Sequence, residues 1–147
     1  MMRNNMEFLV VGRDEIEDGL LLRAPYIVIS IADPGSPQPK IRPSGLCRGI
    51  LRLRFHDAEP VVGFISPPEI KQMTQQQALA IWQFVQRHLS DIRLIVVHCE
   101  AGMSRSPAVA AAICKGLGGD DSRFFEEFQP NMLVYGLLLA AKPTTLD

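Results

Sequence analysis

A cysteine and an arginine with five residues between them are the most informative chemical feature of this chain. They stand in the run His98-Cys99-Glu100-Ala101-Gly102-Met103-Ser104-Arg105-Ser106. The cysteine thiolate is a nucleophile, and a thiol beside a cation at a helix N-terminus titrates at roughly 3.5–7.5 instead of ~8.5. Arginine presents a planar fork of donors that binds two oxygens of one phosphate. This pair of side chains therefore indicates attack on a phosphoryl group.

The flanking segments must place this run between a strand and a helix. Residues 94–97 are a short β-branched apolar run, typical of a buried strand in a parallel sheet. Residues 106–113 are alanine-rich with a proline in the first turn, which favours a helix. A loop that leads into a helix N-terminus directs backbone N–H groups and the positive end of the helix dipole to one place. The sequence therefore predicts a phosphate-binding loop that needs no metal.

Three further residues of the run have expected roles. Gly102 has no Cβ, so the loop bends tightly there. The Ser106 hydroxyl is a donor for the sulfur when the sulfur must leave. His98 is expected to orient the loop through a hydrogen bond from its ring.

The run resembles the signature of the cysteine-based protein tyrosine phosphatase superfamily, His-Cys-x5-Arg-Ser/Thr, at every signature position. The resemblance implies that Cys99 takes the phosphoryl group, that Arg105 binds substrate and transition state, and that Ser106 helps the thiolate depart. It also implies a cradle lined by the backbone amides of Glu100, Ala101, Gly102, Met103, Ser104 and Arg105. The alternative is that Cys99 is an ordinary core residue, since free cysteine packs as a small apolar side chain.

Such a reaction also needs a proton donor for the leaving oxygen. Residues 49–55 alternate apolar and basic side chains, as a strand does, and are followed by His56 and Asp57. Because α/β sites assemble at the carboxyl ends of strands, we expect Asp57 to be the acid. Asp57 also resembles the family's loop aspartate, although the Trp-Pro-Asp form of that loop is absent. Asp33 and Glu59 are rival acids, and a plain turn role for Asp57 is the alternative.

The length of 147 residues predicts one domain that spans residues 1–147. Because the large tyrosine-specific phosphatase domains are longer, this length favours the compact dual-specificity-like branch of the superfamily. The Pro130-Asn131 pair also resembles a feature of that branch. The function implied is hydrolysis of phosphotyrosine, and of phosphoserine or phosphothreonine, in phosphorylated proteins or peptides. Hydrolysis of phosphoinositides or other small phosphoesters, sulfur transfer on a rhodanese-like loop, and phosphate binding without turnover remain alternatives. The loop carries no lysine or further arginine for extra phosphates, and Glu100 would repel them if it faced the pocket.

Composition limits the partners. The net charge is −1 with both signs dispersed, which favours neither nucleic acid nor an anionic membrane as a partner. Three cysteines at scattered positions indicate reduced thiols in a cytoplasmic protein, and we expect no secretory segment and no membrane span. No metal-ligand spacing is present, so we expect neither metal nor cofactor. The oligomeric state is not indicated.

Alternating strand and helix patterns predict the fold. We expect an α/β domain with a mainly parallel central sheet of about four to five strands and helices on both faces. The expected elements include strands at residues 7–11 and 26–31 and helices at 13–22, 74–89, 122–128 and 132–141. Cys47 is expected in a loop. The proline-rich loop 33–44 is expected either to wall the site or to be a plain connector without contact to substrate, and the proline-rich loop 58–68, which follows Asp57, is expected to be a mobile lid.

Overall fold

Four apolar segments form strands in a computed structural model that describes residues 5–59, 63 and 65–146. Within that part, the strands form one parallel sheet in the order β1-β4-β2-β3. The elements in chain order are β1 (Glu7–Val11), α1 (Arg13–Asp18), β2 (Tyr26–Ala32), β3 (Cys47–Arg54), α2 (Gln75–His88), β4 (Leu94–His98), α3 (Arg105–Gly116), α4 (Ser122–Glu127) and α5 (Met132–Ala141). The predicted α/β class and parallel sheet are confirmed.

The two central strands are buried on both faces, which explains their continuous apolar sequences. One face of the sheet, with Ile27 and Ile95, packs in a large core under α2, α3, α4 and α5. The other face, with Val28 and Val96, packs in a smaller cluster with Ile16 of α1. Helices therefore cover both faces, as predicted. None of the helices in the described ranges combines the length and apolar character of a membrane span.

The parallel arrangement brings the ends of all four strands to one edge. His98, the last residue of β4, pairs with Val11 of β1 on one side and with Ser30 of β2 on the other. Because parallel strands end at the same edge, the segments that follow them meet there. The candidate site is built from those segments.

Two predicted boundaries are wrong. The first helix ends at Asp18 instead of residue 22, because Gly19 adopts a φ of 100° that helical residues do not adopt. Cys47 is the first residue of β3 and not a loop residue, since it pairs with Tyr26 before a register shift in the ladder.

The two proline-rich loops flank β3. The first is held against β3 by backbone acceptors, since Arg54 donates to the carbonyl oxygen of Ser36 and Arg52 to that of Pro39. The second is closed at its base by His56, whose N–H donates to Lys71 O at 2.6 Å and whose Nδ1 accepts from Lys71 N at 2.9 Å. Residues 60–62 and 64 of that loop lie outside the described residues, as do 1–4 and 147.

Candidate active site

Cys99 lies directly after the central strand β4 and is 2% exposed. Its Sγ accepts a hydrogen bond from the Gly102 N–H at 3.3 Å. The Ser106 hydroxyl lies 3.2 Å from the same sulfur. One backbone donor and one hydroxyl therefore contact Sγ, and both can donate to the sulfur when it is a thiolate.

Gly102 is required where the loop turns back against β1. Its φ is 73°, in the left-handed region that disfavours other residues. A Cβ built there would lie 2.7 Å from the carbonyl carbon of Val11. The tight bend expected of this glycine is therefore present, and it presses the loop onto the end of a strand.

The remaining loop amides are free to bind an anion. In the described part of the chain, none of these N–H groups donates to a protein acceptor. They belong to Glu100, Ala101, Met103, Ser104 and Arg105. Ser104 is the N-cap of α3 but makes no side-chain capping bond, so the first turn of the helix keeps its donors. These amides and the helix dipole favour negative charge beside Cys99.

Arg105 is the first residue of α3, and its side chain is buried at the sheet edge. One guanidinium nitrogen, Nη1, donates to Asp33 Oδ1 at 2.6 Å and to the Phe55 carbonyl oxygen at 2.7 Å. Its Nε is buried and has no hydrogen-bond partner among the described residues. The two bonds of Nη1 thus fix the orientation of the guanidinium. Its opposite edge, which includes Nε, can donate hydrogen bonds to an anion. Asp33, a rival acid in the sequence, is the ion-pair partner of this arginine.

Asp57 lies beyond the end of β3 and reaches the phosphate loop. Its Oδ1 accepts from Ser104 Oγ at 2.9 Å and from Asn131 Nδ2 at 2.8 Å. Glu59, the other rival acid, instead accepts from the backbone N–H of Met132 at 2.9 Å, at the start of α5. Of the three candidate acids, Asp57 therefore bonds to the Ser104 side chain of the phosphate loop, whereas Asp33 bonds to the Arg105 guanidinium.

Asn131 is a site residue that the sequence analysis did not identify. It is fully buried; its Oδ1 caps α5 through the Val134 N–H, and its Nδ2 also donates to Ala58 O at 3.1 Å. Its backbone N–H donates to Ser104 O at 3.0 Å. The sequence carried two signals: its position after Pro130 at a helix start, which predicts a cap, and the family resemblance of the Pro130-Asn131 pair. Neither signal predicts a bond to a distant loop.

His98 is buried beneath the loop, and both ring nitrogens have partners. Nδ1 lies 3.3 Å from the Cys99 carbonyl oxygen, which only accepts, so Nδ1 carries the hydrogen. Nε2 then accepts from the Ser30 hydroxyl at 2.6 Å. Burial lowers the pKa of His98 from its ordinary 6.5, which favours this neutral form. The ring therefore contacts the backbone of Cys99.

The other variable loop positions lie at the surface. Met103 is about half exposed, and its carbonyl oxygen accepts from the Gln129 N–H at 3.0 Å. The Glu100 carboxylate is paired with Arg13 at 3.1 Å. No group of His, Cys, Asp and Glu side chains in the described ranges is arranged to hold a metal ion.

Comparison with known proteins identifies the fold. No protein-family model matches the chain, and the search of curated proteins finds no match. Human DUSP28 is similar in structure, with a TM-score of 0.60 and 16% identity over 97% of this chain and 95% of that chain. A human tyrosine phosphatase-like serine/threonine/tyrosine-interacting protein gives a TM-score of 0.52 and 21% identity over 78% of this chain and 74% of that one. The chain has the fold of the dual-specificity and tyrosine phosphatase-like proteins.

Proposed function

We propose that this protein hydrolyses phosphomonoesters through a cysteinyl-phosphate intermediate on Cys99. The proposal is carried by one observation: Gly102 N–H and Ser106 Oγ both contact the buried sulfur. These contacts lie at the N-terminus of α3, which begins at Arg105. A nucleophile, the backbone amides of the loop and the Arg105 guanidinium are then available to the same phosphate group. Preorganised donors of this kind stabilise the charge that develops on phosphoryl oxygens.

In the first step, Cys99 Sγ attacks phosphorus as a thiolate. The S–P bond forms while the P–O bond to the alcohol or phenol breaks, and the departing oxygen takes a proton from Asp57. The loop amides and the free edge of Arg105 bind the three non-bridging oxygens. The negative charge of the transition state is therefore met by donors of the protein itself.

The hydrogen bonds of Asp57 specify which of its oxygens carries that proton. Oδ1 accepts from both Ser104 and Asn131, so its lone pairs are occupied. The proton therefore belongs on Oδ2, and the leaving oxygen must approach that atom. General acids in such positions contribute typically ~10²–10⁴-fold to the rate.

In the second step, water attacks the phosphorus of the intermediate. Asp57 takes a proton from this water, the S–P bond breaks and inorganic phosphate forms. The sulfur leaves as a thiolate that accepts a hydrogen bond from the Ser106 hydroxyl, which lies 3.2 Å away. Asp57 is left protonated, so the enzyme returns to its starting protonation state.

We propose phosphotyrosine, and phosphoserine or phosphothreonine, in cytoplasmic proteins as substrates. Three carboxylates border the site at Asp33, Asp57 and Glu59, and only one arginine lies in the phosphate loop. This charge balance disfavours polyphosphorylated ligands such as phosphoinositides. The half-exposed Met103 offers an apolar contact beside the phosphate.

Phosphate binding without turnover is the second candidate. One of the similar structures is described as phosphatase-like and serine/threonine/tyrosine-interacting, so this fold alone does not specify catalysis. The two candidates differ in what Cys99 does, since a binding module has no use for a nucleophile.

Hydrolysis of an aryl phosphate in the presence of a chelator tests the proposal. We expect the wild-type chain and a Cys114→Ser control to release phosphate, and Cys99→Ser to release none. Phosphopeptide binding by the wild type without release of phosphate would instead support the second candidate. Rates on phosphotyrosine, phosphoserine, phosphothreonine and phosphoinositide substrates then rank the substrate classes.

A further inference from the structure

Arg13, the first residue of α1, binds Glu100 at two points. Its backbone N–H donates to the Glu100 carbonyl oxygen at 3.0 Å. Its Nη1 donates to Glu100 Oε1 at 3.1 Å. Because Glu100 directly follows Cys99, a residue outside the phosphate loop fixes both the main chain and the side chain next to the nucleophile.

The local structure of α1 explains an arginine at this position only in part, through the i,i+4 ion pair with Glu17. A cation in the first turn of a helix is opposed by the positive end of the helix dipole. Two carboxylates contact the Arg13 guanidinium: Glu100, and Glu17, whose Oε2 lies 3.5 Å from Arg13 Nε. The Arg13 charge is therefore paired with two carboxylates. One of them, Glu100, belongs to the candidate site.

Glu100 is the one carboxylate in the run from Cys99 to Ser106. An uncompensated carboxylate there would repel a phosphate dianion in the cradle. The Arg13 and Glu100 side chains are 20% and 33% exposed, so solvent screens their interaction and its energetic effect is modest.

The opposition of the two charges is visible at a buried group of the site. Burial has the largest effect on the pKa of His98 and lowers it; among the charged neighbours, Glu100 raises this pKa, and Arg52 and Arg13 lower it. His98 adjoins Cys99 in the chain. The fields of the two side chains thus counteract each other beneath the phosphate loop.

We infer that Arg13 is a positioning residue of the phosphate loop, which holds the Glu100 carboxylate against α1 and offsets its charge so that the cradle binds phosphate. The inference rests on the proposed function, because it takes a phosphate group as the ligand of the loop. It assigns Glu100 a side-chain position outside the cradle, in contrast to the pocket-facing position considered from the sequence.

Titration of the protein with inorganic phosphate tests this inference without turnover. At low ionic strength, Arg13→Met is expected to raise the Kd for phosphate about two- to fivefold, and Glu100→Gln to lower it by a similar factor. The double variant is expected to bind nearly as tightly as Glu100→Gln alone, because Arg13 acts on the cradle through the Glu100 carboxylate. Arg93→Met removes the same charge from the exposed residue before β4, at the opposite edge of the sheet, and should leave the Kd unchanged.

Two further readouts separate charge from structural support. Arg13→Lys should restore most of the affinity, and the effect of Arg13→Met should shrink at high salt. An equal loss of affinity from Arg13→Met in the wild type and in the Glu100→Gln variant would overturn the inference, because a purely structural role does not depend on the carboxylate. If Arg13→Met does not fold, as thermal unfolding would reveal, Glu100→Gln alone decides: tighter phosphate binding supports the inference, and unchanged or weaker binding overturns it.

The wild-type titration distinguishes failure of this inference from failure of the proposed function. A wild-type chain that binds no phosphate overturns the proposed function and the inference together. If the wild-type chain binds phosphate and Arg13→Met binds it with the same Kd, only the inference is overturned.

Discussion

The Ser104 hydroxyl donates to Asp57 Oδ1 at 2.9 Å and so joins the phosphate loop directly to the loop that bears the proposed acid. The two residues are 47 positions apart in the chain. Ser104 occupies the N-cap of α3, where a serine ordinarily bonds to a backbone N–H of its own helix. Its bond to Asp57 instead makes a phosphate-loop side chain responsible for the position of the acid.

Ser104→Ala should reduce kcat about three- to tenfold, the effect expected for one hydrogen bond that positions a reacting group. The loss should be larger for a substrate with a poorly acidic leaving group, since only that substrate needs protonation by Asp57. Steady-state kinetics on two aryl phosphates of different leaving-group acidity measures this. Ser122→Ala, which removes a hydroxyl bonded to the exposed Asp120, is the control. Equal losses on both substrates would contradict a positioning role.

Asp57 and Asp33 should give opposite kinetic phenotypes when each is changed to asparagine. Asp57→Asn should lower kcat about 10²-fold and remove the part of the pH profile that reports a protonated acid. Asp33→Asn should mainly raise KM and retain that part, because Asp33 orients Arg105 through the 2.6 Å bond to Nη1. An exchange of the two phenotypes would make Asp33 the acid.

The contrast between these two aspartates illustrates what the sequence was able to predict. Cys99, Gly102 and Arg105 lie within one short run, so their mutual geometry follows from a strand, a turn and a helix start. The partner of Arg105 does not follow, because Asp33 is 72 residues away and reaches it only through the order of strands in the sheet. A sequence of one chain carries no signal for that order.

Gly102→Ala should abolish most of the activity and lower the free energy of unfolding by about 1–3 kcal/mol. An alanine must adopt the 73° φ and place its Cβ 2.7 Å from the Val11 carbonyl carbon. Gly136→Ala is the matched control, since that glycine lies in α5 with no heavy atom near its missing Cβ. This control should raise the free energy of unfolding by up to about 1 kcal/mol. Full activity in Gly102→Ala would contradict the tight turn.

Stability should depend on pH through His98. Burial lowers the pKa of His98 in the folded state. As the pH falls below 6.5, His98 is therefore protonated in a larger fraction of unfolded than of folded molecules. The free energy of unfolding should therefore be highest above pH 6.5 and fall as the pH decreases, at up to about 1.4 kcal/mol per pH unit. Denaturant unfolding of wild type and His98→Asn at several pH values measures the slope, which should be shallower in the variant. Identical slopes would show that His98 does not contribute.

The predicted end of α1 and the unrecognised role of Asn131 both rest on local sequence patterns. Leu20 and Leu22 prolong an apolar pattern beyond α1, although they pack against the smaller core cluster from a non-helical segment. Asn131 was readable as a helix cap, yet its bond to Asp57 spans 74 residues. In both cases tertiary packing decides the role of a residue whose local sequence predicts something simpler.

The central claim is that Cys99 carries the phosphoryl group during turnover. Rapid acid quenching of the wild-type protein with an aryl phosphate and a metal chelator, followed by peptide mass spectrometry, tests this claim directly. We predict one phosphoryl group attached to the sulfur of Cys99, present at greater occupancy in Asp57→Asn if hydrolysis of the intermediate slows more than its formation, and absent in Cys99→Ser. Aryl phosphate turnover that persists in Cys99→Ser with no phosphorylated Cys99 in the wild type would contradict the account.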